Sequence, residues 1–337
     1  MTHFGKKPDF AHMALALSLL IGSFSLFSIT FGLQKNNIVS PNFYTNNEHQ
    51  LINKKPTYVE KIVSAFTFSD DPVQEKSTDN TEKTYEQRYI LQKLDRLGTI
   101  NADSFIVGDL DTGEVIFERK PHTEYPIASI TKFMTAYTAA ETLLPNELAT
   151  ITTAKLSVEG NRGGFRVGDQ LTIRDLLYPL LLVSSNDAGE IISQQRDRDG
   201  FIEKMKENAS KLGMLNTSFE DPTGLSKNNT STARDLFTMM RGVLVNYPQI
   251  IDISRLSFKK INNYTWTNIN KASSLEEFRG GKTGYTHAAQ QTSIGYYQIK
   301  LANDEYKNIG VVILRSATRQ QDTRNILDYI KNHVSYL

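Results

Sequence analysis

Residues 13–33 form an unbroken run of 21 side chains without a charge. As a helix this run rises about 30 Å, one hydrocarbon thickness. Lys6 and Lys7 precede it, which favours an N-terminus held in the cytoplasm. A cleavable signal peptide has a shorter apolar region and ends in small residues, whereas this run ends SITFGLQKN. The run therefore reads as an uncleaved signal anchor. Residues 1–12 form a short cytoplasmic end, residues 13–33 a transmembrane helix, and everything after is exported; secretion after cleavage is the alternative. Residues 34–98 are Asn-rich, then charged, and read as a polar, partly helical linker. Within it YVEKIVSAFTF suits a short helix or strand. TYEQRYILQKLDRL places Tyr85, Tyr89 (or Ile90) and Leu94 at helical spacing. Residues 99–337 are left to build the folded domain.

Composition then removes whole classes of chemistry. Hydrophobic residues make up 39% of the 337, enough for a sizeable core. Lys and Arg number 38 against 37 Asp and Glu, so no global charge points to nucleic acid. There is no cysteine, which excludes thiol nucleophiles, disulfide scaffolds, thiolate zinc sites and iron–sulfur clusters. The six histidines are scattered and include no H-E-x-x-H pair, so neither a metal nor another cofactor is expected.

From residue 99 the pattern is strands at both ends with helices between. SFIVGDL, the turn DTG and EVIFERK read as a hairpin. Pro126 precedes the helical run ASITKFMTAYTAAETLL, and residues 150–245 are mostly helical. QTSIGYYQIKL and NIGVVILRS read as strands, and QQDTRNILDYIKNHVSYL as a closing amphipathic helix. This order predicts an α+β domain: an antiparallel sheet flanked by helices, with a mostly helical subdomain.

Three short patterns follow one another along this domain: Ser129-Ile130-Thr131-Lys132, Ser184-Ser185-Asn186 and Lys282-Thr283-Gly284. S-x-x-K and S-x-N are common by chance, and second copies occur at Ser257, Ser40 and Ser226; context separates them. Ser129 opens an apolar-faced helix, where residues three apart share a face and Lys132 can reach its oxygen. A serine hydroxyl is a weak nucleophile until a base removes its proton. A solvated ammonium is no base, but burial and a second cation, for which Lys282 is the candidate, would lower its pKa. The Ser129 N–H and the Tyr285 N–H can face a developing oxyanion. Ser184 can relay a proton to a leaving amine, and Asn186 can hold Lys132 or a substrate amide. Lys282 and Thr283 can bind a carboxylate, while Gly284 leaves room for close backbone approach on an edge strand that an extended peptide could join.

Residues 98–337 resemble the low-molecular-mass penicillin-binding proteins, the serine-type D-alanyl-D-alanine carboxypeptidases. PHTEYPIASITKFMTA, RVGDQLTIRDLLYPLLLVSSNDA, MKENASKLGMLNTSFEDPTGL, STARDL and GGKTGYT carry the likeness beyond the three motifs. The resemblance implies a β-lactamase/transpeptidase-like fold and an acyl-enzyme on Ser129 with Lys132 as general base. It implies peptidoglycan stem peptides ending in D-Ala-D-Ala as substrate and β-lactams as inhibitors, in a bacterium, with the catalytic domain outside the cytoplasmic membrane. An arginine near the last strand is expected to help bind the substrate carboxylate, with Arg315 as the candidate. The sequence departs from the family pattern at Ser185, where Gly is usual, and at Arg279, where Asp is frequent. A DD-endopeptidase or transpeptidase would use the same residues. A β-lactamase would need a water-activating Glu in an E-x-x-L-N context, which Glu203 and Glu207 lack. A wall-binding or penicillin-sensing module would bind without turnover.

Overall fold

The computed structural model describes residues 88–93, 96–160 and 162–337. The anchor at 13–33 and the part of the linker before Arg88 lie outside these residues. No helix among the described residues is long and apolar enough to cross a membrane.

The centre of the domain is a five-stranded antiparallel sheet. Its strands are β2 (Ser104–Asp109), β3 (Val115–Arg119), β4 (Phe278–Thr286), β5 (Gln290–Lys300) and β6 (Tyr306–Ser316). The order across the sheet is β4-β5-β6-β2-β3, so the two ends of the domain meet at its middle. The β2–β3 hairpin and the β5–β6 pair form where alternating and β-branched runs flank short turns. All six residues of β2 are buried, as expected for a central strand covered on both faces.

Both faces are covered by helices. On one, α5 (Ala233–Asn246) packs against β2 and β6 with Leu236, Phe237 and Met240 inward. Around it gather α1 (Thr131–Thr142), α2 (Ile173–Leu182), α3 (Asn186–Ser193), α4 (Arg198–Lys211) and α6 (Pro248–Arg255). Together they share one large apolar cluster with Ile106, Ile294, Val312 and Leu314 of the sheet. On the other face α7 (Arg319–His333) lays Ile326, Leu327 and Ile330 on Phe105, Val107, Val311 and Ile313. The expected α+β arrangement, antiparallel sheet plus helical subdomain, is present.

Two local readings change. The spacing around Tyr89 suggested a helix, but Tyr89–Leu91 is strand β1 and pairs with β7 (Val334–Tyr336) at the very end of the chain. The closing helix accordingly stops at His333, and the last residues are extended. Tyr89 is 2% exposed and donates its hydroxyl to the buried Asp109 carboxylate at 2.5 Å. The packed domain thus includes residues on the N-terminal side of 99.

Candidate active site

The site lies where the edge strand β4 meets the helical subdomain. Ser129 sits in a single 3-10 turn, Ala128–Ile130, which runs directly into α1. That places Lys132 one turn on and fully buried. Its Nζ is 3.0 Å from Ser129 Oγ and donates to Asn186 Oδ1 at 2.6 Å and to the Thr223 carbonyl at 2.5 Å. Burial drives the Lys132 ammonium down from the usual lysine range to about 7, against the upward pull of Asp221 and Asp187 and with the help of Arg162. A neutral amine keeps two hydrogens and one lone pair. Asn186 and Thr223 take the two hydrogens, so the lone pair is left for Ser129.

Ser184 lies in the break between α2 and α3. Its φ of 58° is left-handed backbone, held by the flanking helices, and its Oγ accepts from Lys282 Nζ at 2.9 Å. Ser185 turns the other way and caps α3, accepting from the Ala188 N–H at 3.1 Å. Asn186 is the first residue of α3, and its amide also donates to the Glu159 carbonyl at 2.6 Å. Lys282 is buried and donates to the Thr283 carbonyl at 2.6 Å. Burial first, and then the charges of Lys132, Arg319 and Arg162, hold Lys282 well below the ordinary lysine range. Arg162 thus adds to the cations that act on Lys132, and the repulsion between the two lysines shows in the lowering of Lys282.

Glycines let the backbones close in. A Cβ on Gly284 would stand 2.9 Å from the Ser129 nitrogen, so β4 runs directly beside the nucleophile's N–H. β4 is an edge strand of the sheet, as an added peptide strand requires. Ser129, Ser184, Asn186, Thr283, Gly284 and Tyr285 all line one open cleft of about 600 Å³. Lys282 reaches that cleft through Ser184 and Lys132 through Ser129.

Arg315 is not among the residues that line the cleft. It is half exposed and pairs with Asp103, Nε to Oδ2 at 3.1 Å. Arg319, four residues on at the start of α7, lines the cleft instead. It donates to the carbonyls of Gly284 at 2.6 Å and Thr292 at 3.2 Å. Strand β6 ends at Ser316, and the chain must turn into α7 before an arginine can face back to the cleft.

Other contributors gave little sign in the sequence. Asp221 organises the loop that offers the Thr223 carbonyl to Lys132. Burial works to raise its pKa, but the Thr223 hydroxyl and the N–H groups of Ser226, Thr223 and Gly224 outweigh it and hold the carboxylate low. Glu159, Gly160 and Arg162 form one wall, and Gly163 beside them is held in place. Asp187 accepts from the Gly163 N–H, and Trp266 donates to the Gly163 carbonyl at 2.9 Å. The Gly-rich break GNRGG was its one visible signal. The second S-x-x-K, at Ser257, falls on a surface hairpin with Lys260 exposed, so it has no desolvated base.

Comparison with known proteins agrees with this geometry. The chain is 34% identical over 207 residues to a D-alanyl-D-alanine endopeptidase of Pseudomonas aeruginosa, covering 55% of this chain and 64% of the relative. It is 34% identical over 203 residues to D-alanyl-D-alanine carboxypeptidase DacB2 of Mycobacterium tuberculosis, covering 58% and 69%. The chain thus spans about two thirds of the length of these relatives. A crystal structure of a D-alanyl-D-alanine carboxypeptidase from M. tuberculosis superposes with a TM-score of 0.64 at 28% identity, over 68% of this chain and 91% of that one. The mixed fold is therefore that of penicillin-binding proteins and transpeptidases. The model of peptidase family S11, D-alanyl-D-alanine carboxypeptidase, matches residues 90–314, a span that holds the S-x-x-K, S-x-N and K-T-G segments together with the sheet edge. This chain belongs to that family.

Proposed function

We propose that the chain is a serine-type D-Ala-D-Ala carboxypeptidase that trims peptidoglycan stem peptides through an ester on Ser129. The observation that carries the reading is the Lys132 amine, buried, lowered to about 7 and 3.0 Å from Ser129 Oγ with its other hydrogens committed. Lys132 takes the Ser129 proton as Oγ bonds to the carbonyl carbon of the penultimate D-alanine. Charge develops on the carbonyl oxygen, opposite the N–H groups of Ser129 and Tyr285. The C–N bond breaks as the proton taken by Lys132 is relayed through the Ser184 hydroxyl, backed by Lys282, to the leaving amine, so that Ser184 keeps a proton and Lys132 is neutral again. D-Alanine departs, and its carboxylate has been held by Lys282, Thr283 and Arg319. Water then attacks the ester with Lys132 again as base, which releases the shortened peptide and restores Ser129. β-Lactams would acylate the same oxygen.

Residues 13–33 would anchor the chain in the cytoplasmic membrane with the catalytic domain outside. The support is the uncharged run and the lysines before it. Membrane fractionation tests this point: the full chain stays in carbonate-washed membranes, and deletion of 1–33 releases it. A soluble full chain would favour secretion after cleavage.

The activity is tested by incubating the full chain with a peptide ending in D-Ala-D-Ala and measuring free D-alanine. Ser129→Ala and Lys132→Ala should each lower the rate by at least about a thousandfold. Absence of release by folded wild type, or release that survives Ser129→Ala, would refute the proposal.

A further inference from the structure

Ser185 stands where the family pattern has Gly, and the proposed reaction leaves its side chain unused. It is fully buried, as is Asp187 two residues on. The Ser185 hydroxyl accepts from the Ala188 N–H at 3.1 Å and donates its one hydrogen to the Asp187 carboxylate. The other donors to that carboxylate are backbone N–H groups: Ala188 at 3.1 Å, Arg162 at 3.3 Å and Gly163 at 3.1 Å. A buried carboxylate is costly to leave short of donors. Asp187 therefore grips the Arg162–Gly163 backbone, and the Ser185 hydroxyl fixes the carboxylate that does so.

The same segment ties down the residues just before. Asn186 donates its N–H to the Gly160 carbonyl at 3.3 Å and its amide to the Glu159 carbonyl at 2.6 Å. The backbone so held carries Arg162 to the wall of the catalytic cleft. Four charged groups act around the Lys132 amine: Arg162, Asp187 on α3, Asp221 on its own loop and Lys282 on β4. The two carboxylates favour the ammonium and the two cations favour the free amine. Of the two cations, Arg162 is the one whose place depends on the Asp187 grip. We propose that Ser185 is a positioning residue for acylation: through Asp187 it holds Arg162 near the catalytic amine and so sets the pH at which Lys132 can act as a base. This rests on the acyl-enzyme reading above and changes no bond that forms or breaks.

The test is the pH profile of kcat/KM for D-alanine release from diacetyl-Lys-D-Ala-D-Ala by the full chain. The wild type is compared with Ser185→Gly, Arg162→Gln and the double variant. Glycine is an accepted helix cap, so Ser185→Gly should fold, and a melting curve checks it. Loss of the nearby cation favours the ammonium, so the acid limb should move to higher pH. Arg162→Gln should raise its midpoint by roughly half a pH unit to one unit, the scale for one charge several ångströms away in an open cleft. Ser185→Gly should raise it in the same direction by part of that amount. In the Arg162→Gln background, Ser185→Gly should add no further shift, because the two act as one unit. An unmoved midpoint in either single variant, or an undiminished added shift in the double variant, would overturn the positioning role and leave the carboxypeptidase reading standing. A rate lowered equally at every pH would mark a structural role and overturn it too. If the wild type releases no D-alanine, or shows no acid limb, the reading of Lys132 as base falls and the role of Ser185 with it.

Discussion

Lys132 is where burial becomes chemistry. Its amine is out of water, close to Arg162, and bonded to Asn186 and Thr223, so the neutral form is favoured near pH 7. The sign of the pH dependence follows. Below about 7 the lysine is protonated and has no lone pair for Ser129, so acylation falls. Above about 7 it is neutral, and the rate levels off. The pH profile of kcat/KM should therefore show an acid limb with its midpoint near 7, read by D-alanine release or by the rate of ester formation. Asn186→Ala removes one acceptor of the Lys132 hydrogens and should displace that midpoint; an unmoved limb would mean that another group titrates. The residues of this centre were legible in the sequence because each pair is local or carried by a short motif. Ser129 and Lys132 are three apart on one helical face, and Ser184 and Asn186 flank a helix start. Arg162 and Asp221 were not legible, because each arrives from a loop whose path is set by packing far along the chain. Arg315 was read as the substrate arginine from its place near the last strand. Only the turn into α7 shows that Arg319 faces the cleft.

At the scale of elements, the site is made by the ends of elements and not by their middles. The 3-10 turn at Ser129, the α2–α3 break at Ser184 and the edge of β4 converge. Two non-glycine residues with left-handed backbone, Ala128 (φ 50°) and Ser184 (φ 58°), mark where the chain is bent to bring them there. Such residues cost on the order of 1–3 kcal/mol each and persist when their surroundings hold them. Gly224 is one of those surroundings. At φ 87° a Cβ there would stand 1.9 Å from the Ala128 carbonyl oxygen. Gly224→Ala should therefore destabilise the domain by about 1–3 kcal/mol and slow acylation of Ser129, because the bulk pushes on the nucleophile's own turn. A melting curve and an acylation rate check the two effects; a variant with wild-type values for both would mean the loop does not position Ser129. The strand–helix–strand order of these elements was readable from periodicity. The bends were not, since positive φ at Ala or Ser has no compositional sign.

At the scale of the molecule, both ends of the described chain are tied to the sheet. β2 and β3 join it from the N-terminal side and β4 to β6 from the C-terminal side. α7 covers the face away from the catalytic centre, and β1 pairs with β7 beside it. The strand at Tyr89 was misread as helical because its partner, Tyr336, lies at the opposite end of the sequence and no local pattern announces it. Tyr89→Phe removes the hydroxyl that Asp109 accepts and should cost about 1.5–3 kcal/mol, the range for a hydrogen bond to a charged group. The urea midpoint should fall while the acylation rate of the folded protein stays unchanged, because β1 and the cleft share no residue. A changed rate at unchanged stability would contradict this separation of scaffold from site.

The central claim is that Ser129 forms an ester because Lys132 takes its proton. It is tested most directly by intact-mass spectrometry of the full chain after exposure to benzylpenicillin, followed by peptide mapping. The account predicts a mass gain of one penicillin, located on Ser129, absent in Ser129→Ala and formed at least about a hundredfold more slowly in Lys132→Ala. An adduct on another residue, or an undiminished rate in Lys132→Ala, would contradict it.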